Sequence, residues 1–91
     1  MSYTGTLLRQ KREAANLSQT DICGKIGWKN GQYISNIERG LCQVPVKHIN
    51  QLAVELGIGA TEIVDAMILD YKEKIVSEIF NNIAKRENNA T

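Results

Sequence analysis

The reading turns on residues 17–40, LSQTDICGKIGWKNGQYISNIERG, where two short helical patterns meet at a tight turn. Ser18-Gln19-Thr20-Asp21 is a helix-start signature, a hydroxyl at the cap with an acid three residues on, and Leu17 before it is placed as a hydrophobic staple. Ile22, Cys23 and Ile26 then share one face of a short helix that Gly27 ends. A second helix is expected from Asn30 to Gly40, with Ile34 and Ile37 inward and Trp28 plugging the core beside the turn. Two helices crossing steeply need a small side chain where they approach most closely, which Cys23 supplies. They also need a residue tolerant of positive φ at the turn, which Gly27 supplies.

The same punctuation continues outward on both sides. A helix from about Thr6 to Ala15 carries Leu7, Leu8 and Ala15 at helical spacing and stops where Asn16 takes a left-handed conformation. On the other side Pro45 initiates a helix over about Val46 to Leu56, closed by Gly57. Beyond Gly57-Ile58-Gly59 the pattern becomes one long apolar periodicity, with Gly59 or Thr61 placed to cap it. Ile63, Val64, Met67, Ile68, Tyr71, Ile75, Ile79, Phe80 and Ile83 follow helical steps past the point where a small core needs covering. Periodicity alone leaves open whether Asp70 breaks this stretch or is a polar position on one helix. No alternating run reaches strand length, so the class is all-α.

Composition narrows the function. Ninety-one residues, 43% apolar and 23% charged, make one ordinary globular core, which at this size buries about 60% of its unfolded surface. Cys23 and Cys42 are too few for a disulfide scaffold, and no basic-then-apolar leader is recognisable, so a cytoplasmic protein is expected. No uninterrupted apolar run is long enough for a membrane span. His48 has no second ligand at metal spacing, and no nucleophile–base set, carboxylate pair or phosphate-cradling loop is present. Neither an enzyme nor a cofactor is expected. The net charge of +1 hides an asymmetry: residues 1–58 hold seven Lys/Arg against four acids, and residues 59–91 hold four against six. A polyanion would meet the first part.

The ordered set Leu17-Ser18-Gln19, Ile26-Gly27, Ile34 to Gly40, Pro45, Leu52-Ala53 and Leu56-Gly57-Ile58 resembles the Cro/repressor-type (XRE) helix-turn-helix family over about residues 6–66. The resemblance implies a five-helix, phage-repressor-like domain (residues 1–66) with its third helix in the DNA major groove, and a dimer that reads paired half-sites. Residues 67–91 would be a C-terminal helical extension for dimerisation, through Ile68, Tyr71, Ile75, Ile79, Phe80 and Ile83, with a frayed tail. One extra residue stands between Gly27 and Ile34, so the family's base-reading positions fall on Asn30, Gly31, Gln32 and Asn36, with Tyr33 near a further contact. Asparagine and glutamine amides match adenine N6 and N7, which points to A·T-containing contacts. Phosphate contacts are expected from Ser18, Gln19, Lys25, Lys29 and the backbone at Gly40. Arg12 and Glu38 match a family ion pair tying the first helix to the third.

The implied function is a homodimeric transcriptional regulator, a repressor or autoregulator on a pseudo-palindromic operator in double-stranded DNA. A phage or mobile-element repressor or a restriction–modification controller fits. The alternative is a protein-interaction module, an anti-repressor or antitoxin whose C-terminal apolar helix holds a protein partner.

Overall fold

The computed structural model describes residues 2–29 and 31–89, with side chains through residue 83, so Asn30 lies outside the described residues. Five α-helices follow one another: α1 (Tyr3–Ala14), α2 (Gln19–Ile26), α3 (Gln32–Glu38), α4 (Ile49–Leu56) and α5 (Ala60–Asn89), with a 3-10 turn at Val46–His48 leading into α4. The described residues contain no strand, as the sequence predicts. Leu8, Ile22, Cys23, Ile34, Ile37, Leu52 and Ile63 are almost wholly buried and hold the helices around one core. Cys23, the small residue expected at the α2–α3 approach, is buried in that core.

The four anticipated stops all occur. Asn16 (φ 58°), Gly27 (φ 89°), Gly40 (φ 78°) and Gly57 (φ 68°) take the left-handed conformation after α1, α2, α3 and α4. At Gly27 the turn closes with N–H bonds from Gly27 and Trp28 to the Cys23 carbonyl. Ser18 and Asp21 form the predicted capping box at α2: Asp21 N–H donates to Ser18 Oγ at 2.9 Å, and Ser18 N–H to Asp21 Oδ2 at 2.8 Å. Trp28 plugs the lengthened turn. Its Nε1–H donates to His48 Nδ1 at 3.1 Å, and its ring lies 4.7 Å from that of Tyr33, so the turn is tied to the start of α4 and to α3.

Three boundaries differ from expectation. α1 starts at Tyr3 rather than Thr6, because its first N–H groups are satisfied from two places. Ser2 Oγ accepts from Gly5 N–H at 2.8 Å, while the Asp70 carboxylate, far along the chain, accepts from Tyr3 N–H (2.6 Å) and Thr4 N–H (3.1 Å). A carboxylate there also complements the helix dipole. The second difference is α3, which runs only from Gln32 and has no side-chain cap at Gly31. Gly31 lies against α2; a Cβ on it would stand 3.3 Å from Thr20 Oγ1. Third, the residues after Pro45 form the 3-10 turn before α4 begins at Ile49.

α5 is one unbroken helix of 30 residues, about 45 Å long at 1.5 Å per residue. Asp70 is thus a polar position on it, used to dock α1. The apolar residues on α5 change face along its length. Ile63, Ala66 and Met67 pack on the domain, and Asp70 continues that line. Carried on at helical spacing the line passes through Glu73, Lys74, Ser77 and Asn81, all exposed. Ile68, Leu69, Ile75, Val76, Ile79, Phe80 and Ile83 lie on the opposite side and are exposed to solvent.

Candidate nucleic-acid interface

α3 is seven residues long, and its inner face is closed by Ile34, Ile37 and Glu38, all buried. Burying a carboxylate requires partners. Arg12 supplies two of them, Nε to Oε2 at 2.7 Å and Nη2 to Oε1 at 3.0 Å, and Gln19 Nε2 adds a third to Oε1 at 3.2 Å. The third Arg12 nitrogen, Nη1, donates to the Leu17 carbonyl at 2.8 Å. This forked pair raises the Arg12 pKa above the ordinary arginine value, chiefly through the hydrogen bonds to Glu38. Arg12 and Gln19 therefore fasten α1 and the first turn of α2 to the back of α3. The outer face of α3 is held by its inner one.

Gly5 completes the α1–α3 contact. A Cβ on it would run into the Glu38 carbonyl oxygen, so only glycine lets the two backbones approach this closely.

On the outer face stand Gln32, Asn36 and Arg39, one row at helical steps of four and three. Asn36 Oδ1 accepts from Gln32 Nε2 at 2.9 Å and from Arg39 Nη2 at 2.8 Å. Tyr33 is 38% exposed, with one side of its ring turned to Trp28, and Lys29 is exposed at the turn before it. Arg39 was not among the residues anticipated from the sequence, although its place three residues after Asn36 puts it on the same face. Next to this row a cleft of about 510 Å³ is lined by Arg9, Arg12, Gln19, Ser35 and Arg39 together with Glu13 and Glu38.

The anticipated phosphate-binding residues have different surroundings. Ser18 and Gln19 begin α2, but the Ser18 hydroxyl is engaged in the capping box, and the Asp21 carboxylate sits at the same helix end. Bonds from Ser18 hold that carboxylate below the usual aspartate range. Lys25 Nζ lies 3.7 Å from Glu55 Oε2 on α4, and the Lys25 carbonyl accepts from Gln51 Nε2. Gly40 is exposed immediately after Arg39. Among the described residues no group of His, Cys, Asp or Glu side chains is placed to hold a metal ion, and no helix is long and apolar enough to cross a membrane. Cys23 and Cys42 are both unbridged, one buried and the other exposed.

Comparison with known proteins agrees with this geometry. Residues 5–65 match the family model described as a helix-turn-helix domain. The restriction-modification controller protein C.AhdI from Aeromonas hydrophila is a structural neighbour with 33% identity and a TM-score of 0.61, matched over 67% of this chain and 91% of its own. The clp gene regulator ClgR from Corynebacterium glutamicum shares the fold at 18% identity and TM-score 0.62, over 86% of each chain. No curated protein sequence gives a match. With α2 and α3 crossing at the Gly27 turn and Glu38 fastened behind them, the chain belongs to the helix-turn-helix domain family, in the Cro/repressor-type arrangement that its sequence resembles.

Proposed function

We propose that this protein is a sequence-specific transcriptional regulator, a repressor or autoregulator, that binds a pseudo-palindromic operator as a homodimer and works in the cytoplasm where the DNA is. The observation that carries this reading is α3 itself: one face locked to the domain through Glu38, the other a row of exposed Gln32, half-buried Asn36 and exposed Arg39. In this reading Gln32 and Asn36 read base edges, with Asn30 and Tyr33 beside them. Ser18, Gln19, Lys29 and the Gly40 backbone meet phosphate and set the register. Lys25 joins them only by leaving Glu55.

Dimerisation belongs to α5. The outward stripe is Ile68, Ile75, Ile79, Phe80 and Ile83 with Leu69 and Val76 between them, on the side away from Ile63 and Ala66, and Tyr71 stands at its flank, where it lines a groove with Ser2 and Val46. Covering much of it against a second copy would remove several hundred Å² of side-chain surface per chain, a large part of the roughly 800 Å² that each partner contributes to a standard stable interface. Coupling two heads in this way multiplies modest half-site affinities. Residues 1–66 would then read DNA, and residues 67–91 would join the copies. The same stripe favours a second reading, a module that holds another protein through α5, as an antitoxin or anti-repressor would.

Selection of bound sites from random duplex DNA separates the two. The regulator reading expects an inverted repeat for wild type and its loss in a folded Gln32→Ala/Asn36→Ala variant. Folded wild type that enriches nothing would leave the α5-partner reading in its place.

A further inference from the structure

An amide oxygen offers two lone pairs, and both of those on Asn36 Oδ1 are in use, one by Gln32 Nε2 and one by Arg39 Nη2. Turning the amide over would set the Asn36 NH2 group against the Arg39 guanidinium, which has no acceptor, so Arg39 fixes its orientation. Of the two bonds, the one from the guanidinium is charge-assisted and the stronger. What Asn36 has left to offer is therefore its Nδ2–H group, a donor.

The major groove makes that distinction meaningful. Adenine shows an acceptor, N7, beside a donor, N6–H, and a two-bond match by asparagine needs the side-chain oxygen as well as the nitrogen. Guanine shows two acceptors, N7 and O6, and no donor. A donor-only amide next to a guanidinium suits the guanine edge, and the adenine amino group would face like donors and a positive charge. The general expectation that recognition-helix amides read adenine thus does not extend to an asparagine whose oxygen is already taken.

Resting on the DNA-binding reading above, we infer that Arg39 is a specificity-setting residue: by holding Asn36 Oδ1 it makes Asn36 a hydrogen-bond donor and selects guanine over adenine at the base pair Asn36 reads. Arg39 acts here as a positioning residue, through Asn36.

The test is site selection from random duplexes with the full chain as wild type, Asn36→Ala, Arg39→Met and Arg39→Lys, each checked for folding by circular dichroism. The base pair read by Asn36 is the one whose preference disappears in Asn36→Ala. Wild type should carry guanine there. Arg39→Met frees one of the two lone pairs of the oxygen to accept from adenine N6–H and should move the guanine-to-adenine ratio toward adenine by about tenfold, within the range a single base contact discriminates. Arg39→Lys, which can still donate to Oδ1, should keep guanine. Adenine at that pair in wild type, or an unchanged ratio in Arg39→Met, overturns the inference while leaving DNA binding in place. A uniform loss of affinity in Arg39→Met with no change in preference makes Arg39 a phosphate contact and also overturns it. Absence of any enriched site for folded wild type overturns the DNA-binding reading and this inference together.

Discussion

Replacing Arg12 by methionine tests the claim that α3 is held from behind. Methionine keeps the apolar stem of the arginine and removes only the guanidinium. Glu38, whose side chain is 4% exposed, would lose two short charge-assisted bonds and keep only Gln19 at 3.2 Å. Stranding a buried charge in this way costs about 3–5 kcal/mol. Against the total stability of a domain this size, about 5–15 kcal/mol, that is a large share. At this chain length the loss corresponds to a fall in Tm of roughly 15–30 °C. The assay is thermal and urea unfolding of wild type, Arg12→Met, Glu38→Met and the double variant Arg12→Met/Glu38→Met. The double variant should recover much of the loss, since no buried charge is then left unpaired and only the neutral Gln19 amide and Leu17 carbonyl lose a partner. If Arg12→Met costs less than about 1 kcal/mol, the pair behaves like a surface salt bridge, and α3 is not secured through Glu38.

Three further outcomes are expected. Gly5→Ala should lower stability by about 1–3 kcal/mol in urea unfolding because its Cβ meets the Glu38 carbonyl, reversing the gain of about 1 kcal/mol that alanine gives in an open helix; a neutral or stabilised variant would contradict the close α1–α3 approach. Asp21 has a lowered folded-state pKa, so its contribution is present above the ordinary value of 3.8 and is lost as pH falls through the lower folded value. Urea midpoints of wild type should therefore fall more steeply than those of Asp21→Asn in that acid range, and parallel curves would remove the capping box as the cause. Ile79→Asp/Phe80→Asp should halve the sedimenting mass and weaken operator binding by tenfold or more without loss of helicity, and a variant that sediments like wild type would place dimerisation elsewhere.

Much of this fold could be read locally. Capping boxes and left-handed stops depend on residues within a turn of each other, so Ser18, Asn16, Gly27, Gly40 and Gly57 announced the helix ends before any packing was known. The start of α1 could not be read in that way, because half of its cap is Asp70, brought in by α5. Nor does periodicity reveal that the apolar residues of α5 change sides near residue 68. Two stripes of similar spacing on opposite faces add up to what looks like one. The Arg12–Glu38 pair was visible through the family resemblance and forms, whereas Gln32 and Asn36 were visible only as separate positions and their hydrogen bond was not. Arg39 escaped because its role depends on a three-member hydrogen-bond row and not on its own residue type.

The unbroken α5 also sets a mechanical constraint. A continuous helix behaves as a screw, so each residue removed between Asp70, which is fixed to α1, and Ile75 turns the distal stripe by about 100° and draws it in by about 1.5 Å relative to the reading head. In a dimer joined by that stripe, the angular phase between the two heads is written into the number of residues in this segment. Inserts there would restore the angular phase only near whole turns, and each turn would still move a head about 5.4 Å from the stripe, which would tie the length of a solvent-exposed helix to the geometry of the DNA site.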